Sequence, residues 1–85
     1  MDTLRELNGN TGTLRRFEAR IFNAWVRVML DAGEDNVTGF DDAWSEGRLV
    51  EVWTLSMTDA IARFEQEYPV HVGFKISGVR EVHDQ

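Results

Sequence analysis

The sequence predicts an α+β fold in a single small acidic domain spanning residues 1–85: one long amphipathic helix, a short helix, and a strand-helix-strand unit forming a small sheet. Three observations predict it. Apolar residues recur at spacings of three and four through residues 13–31 and again through 57–68, which is helix periodicity. Val70, Val72, Phe74 and Ile76 alternate with His71, Gly73, Lys75 and Ser77, the pattern of a strand with one buried face. A chain of 85 residues leaves room for one core. At this size only ~60% of the unfolded surface is buried on folding, so little chain is left to wall a large enclosed site.

The segment from Asp2 to Gly12 is short and turn-rich, with Leu4 and Leu7 available to cap the core. Asn8-Gly9-Asn10-Thr11-Gly12 is a turn cluster that lacks the Gly-Lys-Ser/Thr ending of a phosphate loop. Residues 13–31 predict the long helix, with Thr11 or Thr13 as its cap and Gly33 ending it in a left-handed position. Leu14, Phe17, Ile21, Trp25, Val28 and Met29 fill one face, and Arg16, Arg20, Asn23 and Arg27 lie opposite. Phe22, Val26 and Leu30 widen the apolar arc past half the circumference. An arc that wide makes the helix either the central element or a dimer interface, with Phe22, Val26 and Leu30 as its candidate contacts.

An acidic turn follows at 33–37. Thr38-Gly39-Phe40-Asp41 has the spacing of a capping box, which predicts a short helix over 39–46 with Phe40, Ala43 and Trp44 on one side. Asp41 and Asp42 then fall where the positive end of the helix dipole favours carboxylates, and Gly47 stops the helix. Residues 48–55 read as a strand, Val50, Val52 and Thr54 on one side and Leu49, Trp53 and Leu55 on the other, with a helix from 48 onward as the competing reading. Ser56-Met57-Thr58-Asp59 is a second capping box. The helix it opens carries Met57, Ala60, Ile61, Phe64 and Tyr68 inward and ends before Pro69. The strand over 70–77 meets a turn or bulge at Ser77-Gly78, and Val79 to Val82 extend the sheet. The unit 48–77 is long enough for a right-handed parallel crossover; folding back at Ser77-Gly78 would instead add an antiparallel edge. His83-Asp84-Gln85 is expected to fray.

The formal net charge is −6. Residues 1–30 sum to +2, residues 31–59 hold eight acids against Arg48 for −7, and residues 60–85 sum to −1. This balance disfavours general nucleic-acid binding and anionic membrane surfaces. The absence of cysteine excludes disulfides, thiolate nucleophiles and cysteine-ligated metal centres. It also favours an intracellular, cytoplasmic setting, consistent with a start that has no basic region followed by an apolar core. No stretch approaches the ~20 apolar residues that span a bilayer.

The residues offer little chemistry. His71 and His83 lie in no metal-binding pattern, and Asp31, Glu34 and Asp35 lack the alternating ligands and terminal Glu of a calcium loop. Ser45, Ser56 and Ser77 sit in no nucleophile elbow. Glu18 and Glu51 are the carboxylates nearest apolar runs, where the ordinary role is a salt bridge to an Arg. The expectation is therefore no enzyme, no cofactor and no metal. Protein interaction remains, because it needs only a shaped surface. Asp31, Glu34, Asp35, Asp41, Asp42 and Glu46 fall within sixteen residues, flanked by Phe40 and Trp44. They form the candidate protein-binding segment, spaced to compete with a nucleic-acid backbone for a basic protein groove. Small acidic inhibitors encoded by phages and mobile elements share this size and charge, an analogy of class and not of motif. The alternatives are a structural or assembly subunit acting through homo-oligomerisation, and nucleic-acid binding through an Arg16/Arg20/Arg27 helix face.

Overall fold

Strand β1 (Arg15–Asn23) runs directly into helix α1 (Ala24–Asp31), followed by a 3-10 turn (Asp42–Ser45), strand β2 (Arg48–Thr54), helix α2 (Met57–Glu67), a second 3-10 turn (Val70–Val72) and strand β3 (Phe74–Val82). This is a computed structural model, and it describes residues 13–83. The turn cluster at 8–12, the roles expected of Leu4, Leu7 and Thr11, and the fraying of Asp84 and Gln85 lie outside the described residues.

The molecule is α+β, but the helix expected over 13–31 is corrected in its first half. Residues 15–23 are the central strand of a three-stranded antiparallel sheet of order β2-β1-β3. The register pairs Phe17 with Val52 on one side and Ile21 with Ile76 on the other. Phe17, Ala19, Ile21 and Asn23 are buried at every second position. Their alternation beats the helical spacing because a strand in mid-sheet satisfies its backbone on both edges.

Helix α1 occupies only the second half of the expected span. Asn23 caps it: its Oδ1 accepts from Trp25 N and Val26 N at 3.0 and 3.1 Å. Gly33, at φ +75°, ends it as the sequence predicts. Gly33 N donates to Leu30 O and Glu34 N to Met29 O, a Schellman arrangement that satisfies the last carbonyls.

The helix expected over 39–46 is a single 3-10 turn capped by Asp41, which accepts from Ala43 N at 2.8 Å. Thr38 does not cap it; its Oγ1 accepts from Phe40 N in the turn before. The strand reading of 48–55 is right, and the competing helix is not formed. Helix α2 forms as expected, Ser56 Oγ accepting from Asp59 N at 3.1 Å and the helix closing at Tyr68 before Pro69. The strand expected from Val70 starts only at Phe74. Residues 70–72 turn instead, and Gly73 at φ +103° redirects the chain.

Gly78, at φ +62°, and Val79 together stand opposite Ala19, so Ser77-Gly78 opens a bulge in β3. β2 and β3 are both antiparallel to β1 and so parallel to each other. The link through α2 is therefore the parallel crossover the sequence allows, passing over β1, which lies between the two strands; the fold-back at Ser77-Gly78 does not form, because β3 runs on through the bulge. One face of the sheet, with Phe17, Ala19, Ile21, Val52 and Phe74, packs against Ala60 and Phe64 of α2. Phe74 is also ringed by Phe40, Trp44 and Tyr68 at centroid distances of 4.9, 5.4 and 5.3 Å. Phe40 and Trp44 are thus half-buried against the core although the helix that would group them is not formed, and Ala43, expected on the same side, is exposed.

Candidate interaction surfaces

The six candidate carboxylates all lie at the end of α1 or on the connection from α1 to β2. This connection is tied down by short polar side chains. Asn36 Nδ2 donates to Phe40 O at 2.6 Å and to Asp42 Oδ1 at 2.8 Å. Asn36 Oδ1 accepts from Thr38 N and from Thr38 Oγ1. From the helix side, Arg27 Nε donates to Ser45 O at 2.8 Å. Asp41 and Asp42 are used by the fold, as cap and as acceptor. Asp31, Glu34, Asp35 and Glu46 are exposed. Among the described residues none of the six carboxylates takes part in an ion pair.

The ion pairs lie elsewhere. Arg80 Nη2 meets Glu18 Oε2 at 2.6 Å, Arg16 Nη1 meets Glu51 Oε2 at 3.6 Å, and Arg63 meets Glu67 along α2 at 3.2 Å. Arg15 donates to both carboxylate oxygens of Glu81, from Nε at 3.0 Å and Nη2 at 2.9 Å. That fork holds the Glu81 carboxyl below the usual range and raises Arg15 further. Glu18 and Glu51 therefore have the ordinary salt-bridge role the sequence assigns them.

The Arg16/Arg20/Arg27 helix face does not exist, because two of the three residues are in a strand. Arg16 and Arg20 project from the open face of the sheet, opposite α2. Arg16 lies over the Trp53 ring at 5.9 Å, and the stem of Arg20 covers Gly47, where an added Cβ would fall 2.9 Å from Arg20 Cγ and Cδ. Arg27 is on α1, its guanidinium stacked 3.6 Å from the Phe22 ring centroid. The proposed dimer arc is broken the same way. Phe22 stands on the open sheet face, Val26 is fully buried within the chain, and Leu30 is half-buried. These three side chains form no common surface.

Leu49 and Trp53, which the strand reading puts on one side, stand 59% and 53% exposed on the open sheet face. One feature escapes the sequence reading. A groove of about 750 Å³ lies between the end of α2 and β3, lined by Glu65, Gln66, Tyr68, Pro69, Val70, His71 and residues 74–76. The only sequence signal for it was that a small sheet must leave an edge open.

Among the described residues no group of three His, Asp or Glu could hold a metal ion. His71 is exposed on the 3-10 turn and not on an outward strand face. No described helix is long and apolar enough to cross a membrane. Comparison with protein-family models, curated proteins and solved structures found no match.

Proposed function

We propose that this chain is a non-catalytic protein-interaction module that docks on a basic protein surface through residues 31–46, as a small acidic inhibitor would. One observation carries the reading. The segment holds six acids and no Lys or Arg, while the rest of the chain balances nine acids against nine basic residues. The whole net charge of −6 therefore resides in sixteen residues. Four of the carboxylates serve no ion pair or cap among the described residues, and the turn between them is tied down by Asn36 and Thr38. An ordered acidic segment lowers the ordering cost of binding and steers encounter with a cationic surface.

Affinity capture from native lysate tests this, with the wild type and the triple variant Glu34→Gln, Asp35→Asn, Glu46→Gln as parallel baits at low and high salt. A basic nucleic-acid-binding protein held by the wild type, and lost by the variant or by salt, is the expected result. Identical captures by both baits would place recognition elsewhere.

A second reading is assembly through self-association. The exposed Leu49 and Trp53 side chains, on the sheet face that α2 does not cover, favour it. Sedimentation equilibrium with wild type and Trp53→Ser separates the two: a dimer weakened by that change supports assembly, and a concentration-independent monomer removes it.

A further inference from the structure

We propose that the outer edge of β3 takes a segment of a partner protein as an added fourth strand, with apolar side chains in the groove beside α2 and acidic side chains on the opposite face. Phe74, Lys75 and Ile76 are consecutive, so their side chains point alternately to the two faces of the sheet, yet all three line the same groove. What they share is the edge backbone, so the groove opens onto the strand edge itself. Among the described residues β3 pairs only with β1, which leaves alternate N–H and C=O groups of its other edge directed outward. Backbone hydrogen bonds plus pockets for alternate side chains are the requirements of strand addition.

The side chains specify the occupant. On the groove side stand Tyr68 and Ile76, half-buried, and Val70, 70% exposed. They suit branched apolar residues, and Glu65 on the helix wall disfavours acids there. On the other face Lys75, the only lysine of the chain, sits beside the edge with no ion pair or hydrogen bond among the described residues. An edge lysine opposes pairing with a second copy, since antiparallel pairing about a two-fold axis here would bring the two Lys75 side chains close together. It complements a carboxylate on an incoming strand. Beyond Ser77 the Gly78 bulge twists the edge, so the receptive stretch is residues 74–77.

The test is amide chemical-shift titration of the 15N-labelled full chain with capped octapeptides alternating valine with glutamate or valine with lysine. The glutamate peptide is expected to shift the amides of residues 74–77 and the Tyr68 ring. It should bind about fivefold more tightly than the lysine peptide, a preference that Lys75→Glu reverses. Two further glutamate peptides carry N-methyl groups on one or the other alternate set of amides. One set faces the protein edge and the other faces solvent, so one isomer should lose binding and the other keep it. Both isomers behaving alike, or shifts centred away from β3, would overturn the proposal. So would concentration-dependent shifts of the same amides without peptide, which would assign the edge to a second copy.

Discussion

Gly73 lies directly beneath Trp25: a Cβ added at position 73 would fall 2.8 Å from the indole Cγ. The same Cβ would meet Asn23 Oδ1 at 2.7 Å, and Gly73 holds φ at +103°. The backbone is close as well, Ala24 N donating to Gly73 O at 2.7 Å. Gly73→Ala combines an unfavourable φ with a collision against Asn23 Oδ1, fully buried and held by its cap bonds, and a second against the Trp25 ring. Its expected cost is about 2–4 kcal/mol. Urea unfolding followed by Trp fluorescence measures it, and a loss below that of an ordinary surface Gly→Ala would contradict the contact.

Asn23 performs two tasks from full burial. Its Oδ1 caps α1, and its Nδ2 donates to Val72 O at 3.1 Å, binding the start of the helix to the turn before β3. Asn23→Asp keeps the acceptor and deletes the donor while burying a charge; Asn23→Ala deletes both. Each should lose about 2–3 kcal/mol. The aspartate variant should recover stability in mild acid as its carboxyl protonates, which thermal melts across that range can read.

Glu81 gives a pH signature. The Arg15 hydrogen bonds lower its folded-state pKa, so its contribution is present above the ordinary glutamate value of 4.5 and is lost as pH falls through the lower folded value. Glu81→Gln should therefore be less stable than wild type by a constant margin near neutrality. The two curves should converge in acid. Parallel curves down to the lowest pH would mean that the fork contributes nothing in solution.

The triple variant Glu34→Gln, Asp35→Asn, Glu46→Gln should fold normally, with stability unchanged or slightly raised by reduced like-charge repulsion. Against a captured basic partner its association should slow markedly and lose much of its salt dependence, with dissociation affected less. Stopped-flow association at several ionic strengths checks this.

Val26→Asp should unfold the domain and not merely disturb an interface, because it places an unpaired carboxylate at a fully buried site. Loss of cooperative melting is the expected readout. A folded, stable variant would mean that the Val26 side chain of α1 is not buried in solution.

Legibility in the sequence followed the number of independent signals. Helix α2 has a Ser56 cap, an apolar stripe and Pro69, and all three agree. Strand β1 was obscured by arithmetic: Phe17, Ile21 and Trp25 are four apart, a spacing that belongs both to period two and to a helix turn. The residues that would have decided for a strand are Ala19, too small to register, and Asn23, polar but buried for its cap. Phe22, on the open face beneath Arg27, adds a further apolar residue at helical spacing. Helical spacing therefore puts Arg16 and Arg20 on a helix and hides the spread of Phe22, Val26 and Leu30 over two elements. The acidic connection was legible as composition, whereas its Asn36–Thr38 scaffold was not. The groove required knowledge of which strand ends the sheet, which pattern alone does not give.

The central position of β1 has a consequence for how the molecule comes into being. β1 is translated before either of its neighbours, yet every ladder in the sheet includes it. Its partners arrive at Arg48 and, on the other side, at Phe74. During synthesis the first strand must wait with both edges bare, and half of its pairing cannot form until nearly all of the described chain has left the ribosome. Closing such distant pairs is slow, and a waiting apolar strand is vulnerable to pairing with another nascent copy. A chain cut just before Phe74 would leave that condition permanent, with aggregation at the exposed side of β1 as its outcome.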